Sequence, residues 1–70
     1  MTSGIQIVVN GEAREVPPGL GVAALLSHLG LPADRVAIER NLEILPRSAW
    51  LSTTVEAGDQ FEIVHLVGGG

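Results

Sequence analysis

The chain opens with a β-branched run, Ile5-Gln6-Ile7-Val8-Val9, that ends at Asn10-Gly11. Such a run favours a strand, and Asn-Gly is a strong hairpin signal because both residues tolerate the positive φ of a type I′ turn. The returning strand is predicted over Ala13-Arg14-Glu15-Val16 and stops at Pro17-Pro18-Gly19, because neither proline has an N–H to give to a ladder. The period then changes. Between Gly21 and Leu29, the residues Val22, Leu25, Leu26 and Leu29 recur at i, i+3, i+4 and i+7, which is one apolar stripe of an α-helix. Gly30 provides a left-handed C-terminal cap and Pro32 follows it. A helix this short is held by tertiary packing, so it needs a sheet to lie on.

Beyond the helix, Val36-Ala37-Ile38-Glu39-Arg40 reads as a strand ending at Asn41, and Glu43-Ile44-Leu45 as a shorter one closed by Pro46. Arg47 to Leu51 is predicted to make a helical turn that tucks Trp50 inward. Thr53-Thr54-Val55 leads into the turn Glu56-Ala57-Gly58-Asp59, and the last strand runs from Gln60 to Val67 ahead of Gly68-Gly69-Gly70. A hairpin, a helix crossing one face and a final strand returning beside the first describe an α+β, ubiquitin-like β-grasp. The sheet is expected to be mixed, with four to five strands, and the right-handed crossover rule sets its last strand parallel to its first. Residues 1–67 form this one domain and residues 68–70 a flexible C-terminal tail.

Composition narrows the function. The chain has 70 residues, of which 46% are hydrophobic and 17% charged, too apolar for a disordered segment. Its longest apolar runs fall far short of the roughly 20 residues of a membrane helix. Met1-Thr2-Ser3-Gly4 lacks the basic start and apolar core of a signal peptide, so a cytoplasmic location is expected. There is no cysteine and no lysine, and the basic residues are Arg14, Arg35, Arg40 and Arg47. A net charge of −4 argues against nucleic acid, whose binding depends on clustered cations, and suits a basic protein surface better.

Side-chain chemistry is sparse. Ser3, Ser27, Ser48 and Ser52 have only His28 and His65 as bases, none in a nucleophile-elbow sequence. No catalytic residue is predicted. His28 is expected at the helix surface and His65 on the last strand, too far apart in the fold to make a metal site. Glu39, Glu43 and Glu62 read as solvated strand positions, and Glu39, Arg40 and Arg47 as solvating the sheet rather than contacting a partner. No metal and no bound cofactor is expected.

The glycines at the end of the chain cannot be a phosphate loop, which needs a helix after it. On composition alone they read as a frayed end. The alternation of the last strand changes that balance. With Phe61, Ile63 and His65 on one face, Val64 and Leu66 point outward beside Glu62. An exposed apolar patch at the root of a tail suggests docking, and Val67 extends it. Gly68 and Gly69 would then thread into a partner's narrow active site, where a side chain would clash, and the reactive group would be the carboxylate of Gly70.

These residues resemble the ThiS family of thiamine-biosynthesis sulfur carriers, small β-grasp proteins ending in Gly-Gly. The resemblance spans Ile5 to Gly70. It is most specific in Val36-Ala37-Ile38-Glu39-Arg40-Asn41, in Glu43-Ile44-Leu45-Pro46-Arg47-Ser48-Ala49-Trp50, and in the stretch from Gly58-Asp59 through Val64-His65-Leu66-Val67 to Gly70. Gly21 departs from it where a Ser or Thr helix cap is usual, and Asn41-Leu42 replaces an Asn-Gly-like turn. The resemblance implies a carrier and not an enzyme. An E1-like adenylyltransferase, using ATP and magnesium, would convert the Gly70 carboxylate into an acyl-adenylate. Sulfur from a sulfur-donating enzyme would displace AMP, and thiazole synthase would consume the resulting thiocarboxylate. The chain alone is expected to be monomeric. Competing readings are a molybdopterin-synthase small subunit or another thiocarboxylate donor, a ubiquitin-like protein modifier, and an inert interaction module.

Overall fold

The computed structural model describes residues 4–67. Its β1 (Ile5–Val9) and β2 (Glu12–Val16) form the predicted hairpin, followed by α1 (Val22–Leu29), β3 (Val36–Arg40), β4 (Glu43–Leu45) and β5 (Gln60–His65). The five strands make one sheet in the order β2-β1-β5-β3-β4. β1 and β5 are parallel, and every other neighbouring pair is antiparallel. The sheet is therefore mixed, with the last strand at its centre, and the fold is the ubiquitin-like β-grasp expected from the element order.

Alternation decides what each strand buries. Ile7 and Val9 of β1, Val36 and Ile38 of β3, and Phe61 and Ile63 of β5 all point to one side. Val22, Leu25 and Leu26 of α1 complete the core there, each at most 1% exposed. The predicted turn after Pro46 is a single 3₁₀ turn, Arg47–Ala49. It brings Trp50 into the core with its indole N–H donating to Leu45 O at 3.0 Å. Burying an indole is favourable when its N–H finds such a partner.

Element ends differ slightly from the sequence expectation. β2 begins one residue earlier, at Glu12 opposite Val9, and β5 ends at His65 rather than Val67. Gly21 caps α1 without a side-chain hydrogen bond. The orphan N–H of Val22 donates instead to Thr53 O at 2.9 Å, next to a bridge between Gly21 and Thr54. A neighbouring loop thus satisfies part of what a serine hydroxyl would otherwise supply.

The hairpin joining β3 to β4 is less comfortable. Asn10 and Gly11 take the positive φ values of 51° and 82° that their turn requires, and both residue types tolerate them. At the second hairpin Asn41 has φ 52° and Leu42 has φ 72°. A side chain with a Cβ in this region costs about 1–2 kcal/mol, and Leu42 is 88% exposed, so packing returns little. Leu42→Gly is therefore expected to raise unfolding free energy by about 0.5–1 kcal/mol, after glycine's extra chain entropy is counted. Urea denaturation checks it, and an unchanged or lower midpoint would refute the strain.

Candidate functional site: the root of the C-terminal tail

The strand that leads into the tail is held from both sides. β3 pairs with β5 from Arg40↔Phe61 to Val36↔His65. Past the strand end, Leu66 N–H still donates to Arg35 O at 2.8 Å. On the other side β1 is shorter. After Val8↔Gln60 and Val9↔Phe61, the Asn10 backbone N–H donates to Phe61 O at 2.9 Å. The Asn10 side chain then replaces the next rung, donating to Ile63 O at 3.0 Å and accepting from Ile63 N–H at 2.8 Å. A side-chain amide carries the same donor and acceptor as a peptide, so it extends the ladder by one residue.

The start of β5 is held by a polar cluster. Asp59 is 5% exposed. Its carboxylate accepts from Glu56 N–H at 2.9 Å, Arg40 Nε at 3.0 Å and Asn41 Nδ2 at 3.2 Å. Burial pushes its carboxyl up, but the Glu56 N–H, the Asn41 amide and the Arg40 guanidinium together hold it below the ordinary aspartate value. The Asn41 side chain also accepts from Gln60 N–H at 2.9 Å, and its backbone N–H donates to Gln60 O at 2.7 Å. Nothing in the turn sequence singled out Asp59. The available signal was a carboxylate at the end of a turn, where aspartate commonly binds nearby backbone N–H groups.

The expected docking residues emerge from this rigid base. Val64 is 55% exposed and Leu66 51%, and Val67 is exposed as well. Phe61 and Ile63 are buried as predicted, whereas His65 is exposed. Val64 lines a shallow apolar hollow with Ala37 and Ile44. Leu66 shares another with Pro46, Arg47 and Trp50. Gly68, Gly69 and Gly70 lie outside the described residues.

Two expectations about charged residues are corrected. Arg40 does not simply solvate the sheet: it is half-buried and ion-paired to Asp59. The Arg47 guanidinium lies 4.9 Å from the centroid of the Trp50 ring and donates to Ala33 O at 2.6 Å, a cation–π contact that covers the indole. His28 sits exposed on α1, as expected. Among the described residues no group of three His, Asp or Glu side chains could hold a metal ion. No helix there is long and apolar enough to cross a membrane.

This geometry has known counterparts. The model of the ThiS family matches residues 7–70. The sulfur carrier protein ThiS of Escherichia coli is 32% identical over 66 residues, covering 94% of this chain and 100% of that protein. A thiazole synthase of Paramagnetospirillum magneticum is 46% identical over 66 residues, 94% of this chain but 20% of that enzyme. A second, from Magnetococcus marinus, is 35% identical with the same coverage, so the chain spans about one fifth of the length of these two relatives. The crystal structure of the thiamine biosynthesis protein ThiS from Geobacter metallireducens is 39% identical, with a TM-score of 0.82 over 94% of this chain and 100% of that one. Fold, tail and matched residues agree, and the chain belongs to the ThiS family, the sulfur carriers of thiamine biosynthesis.

Proposed function

We propose that this protein carries sulfur as a thiocarboxylate on Gly70 and delivers it to a thiazole synthase. The supporting observation is the fixed root: β5 is central in the sheet, pinned through Leu66, and followed by an exposed apolar residue and three glycines. A partner can grip Val64, Leu66 and Val67 while Gly68 and Gly69 enter a narrow site.

The chemistry follows from what the chain contains. A carboxylate is a poor electrophile. Attack of a Gly70 carboxylate oxygen on the α-phosphorus of ATP expels pyrophosphate and leaves an acyl-adenylate, with AMP as a good leaving group. That step belongs to an E1-like adenylyltransferase holding ATP and magnesium. Sulfur at the oxidation level of sulfide, drawn from a persulfide with a thiol reductant, then adds to the acyl carbon and AMP departs. With no cysteine, the chain has no thiol of its own to carry sulfur elsewhere. With no lysine, it has no side-chain amine to capture its own activated end. The protein is therefore a co-substrate of its partners rather than an enzyme.

Incubation with the cognate adenylyltransferase, ATP and a sulfur source should give an intact mass shifted by one oxygen replaced with one sulfur, localised to Gly70. Deleting Gly70 should abolish the shift and leave the far-UV circular dichroism spectrum unchanged. An unshifted mass with a demonstrably active partner enzyme would refute the proposal. Denaturation-resistant adducts on cellular proteins would instead favour a protein modifier.

A further inference from the structure

Helix α1 covers one face of the sheet and leaves the other open. On that open face the β3–β5 register sets Ala37 opposite Val64 and Glu39 opposite Glu62. Ile44 of β4 lies beside Glu39, and Val8 of β1 lies beside Gln60. Two shallow hollows flank the carboxylate pair. Ala37, Ile44 and Val64 line one, Val8, Leu42 and Gln60 line the other, and Glu39 and Glu62 border both.

Three properties of this face work against the isolated chain. Like charges directly opposite one another destabilise an antiparallel pair. The ion pairs among the described residues are Arg14–Glu12 and Arg40–Asp59, so neither Glu39 nor Glu62 has a cation there. Leu42 and Ile44 are 88% and 78% exposed, a cluster of apolar surface bordering that charge. Leu42 also holds its positive φ where glycine would be free of strain. Backbone strain retained beneath an exposed side chain points to a use for that side chain.

We propose that this open face, with Leu42 and Ile44 as apolar anchors and Glu39 and Glu62 as a receptor for one arginine or lysine, is where thiazole synthase docks. This rests on the sulfur-carrier reading above and specifies its partner surface. Charge complementarity gives the chemistry: a partner burying this face must bring a cation to the two carboxylates, or desolvate them unpaired at high cost. The relatives give the partner: two thiazole synthases contain a segment like this chain as 20% of their length, a tethered form of the same association. The face is also continuous with Val64 at the tail root, so a partner seated on it meets the tail as it leaves β5.

The test measures binding of the full chain to thiazole synthase of the same genome by calorimetry at several salt concentrations. Leu42→Gly, and Glu39→Gln with Glu62→Gln, should each weaken the dissociation constant about ten-fold. The charge variant should also lose most of its salt dependence, while Glu56→Gln on the far loop binds like the parent. Both weakened variants should melt at or above the parent temperature, because strain or repulsion has been removed. Destabilised folding therefore cannot imitate the result. Unchanged affinity in either variant would overturn the proposal, as would loss confined to adenylation, which would assign the face to the activating enzyme. A parent chain that gains the sulfur mass but does not bind thiazole synthase would overturn this inference and leave the carrier chemistry standing. A chain that never gains the mass would instead remove the reading beneath it.

Discussion

Asp59→Ala should destabilise the domain by about 2–3 kcal/mol, because it strands three donors that now converge on one buried carboxylate. The Arg40 side chain is 26% exposed and can regain some water, which keeps the loss below that of a fully buried ion pair. The remaining cost falls on Glu56 N–H and on Asn41, whose amide also fixes Gln60. For a chain of this size, total stability is about 3–10 kcal/mol, so the urea midpoint should drop substantially. The effect has a definite pH dependence. Because the folded state holds the Asp59 carboxyl below its ordinary value, its contribution is complete above the unfolded pKa of about 3.9 and is lost as pH falls through the folded value. The gap between wild type and Asp59→Ala should therefore be full at neutral pH and narrow on acidification below about pH 4. A gap that widened with acid, or a variant with an unchanged midpoint, would contradict this role.

Phe61→Ala should be more damaging still. Phe61 is 1% exposed and heads the fully buried side chains by volume. It sits on the central strand, between Val9 on one side and Arg40 on the other. Truncating a buried phenylalanine removes its transfer free energy and leaves a cavity, together about 3–5 kcal/mol. That is comparable with the whole stability of so small a domain, and no disulfide compensates. The variant should be largely unfolded at 37 °C or show a strongly reduced urea midpoint. Saturating thiazole synthase should recover part of the structure if it binds only the folded state. Native-like stability would mean that the β5 core position collapses around the missing ring.

Both effects reach the tail through β5. Asp59 orders the entry to the strand, Phe61 and Ile63 hold its inner face, and Asn10 and Arg35 hold its exit. The terminal glycines need a base that does not move when a partner pulls on them, and a central strand supplies it. An edge strand would have had neighbours on one side only.

Much of this was readable along the chain. The β-branched run before Asn10-Gly11, the helical stripe from Val22 to Leu29 and the cap at Gly30 are local features. Their geometry depends on φ preferences and on periods of two and 3.6. Gly30 does take φ 74°, and Val64 and Leu66 do emerge exposed because alternation leaves them opposite Phe61 and Ile63. The Asp59 cluster was not readable, because its side-chain partners lie 18 and 19 residues away in sequence. Reading Arg40 as a solvated strand residue failed for the same reason.

The sequence by itself determined the elements, their order, the buried stripe and the glycine-rich end, since each of these depends on neighbours a few residues apart. Only the tertiary structure decided that β5 lies between β1 and β3, and therefore that Glu39 faces Glu62 and Asn10 completes a ladder with Ile63. Register across a sheet is set by the joint burial of several strands against one helix. A shift of one residue would move all of those side chains to the opposite face.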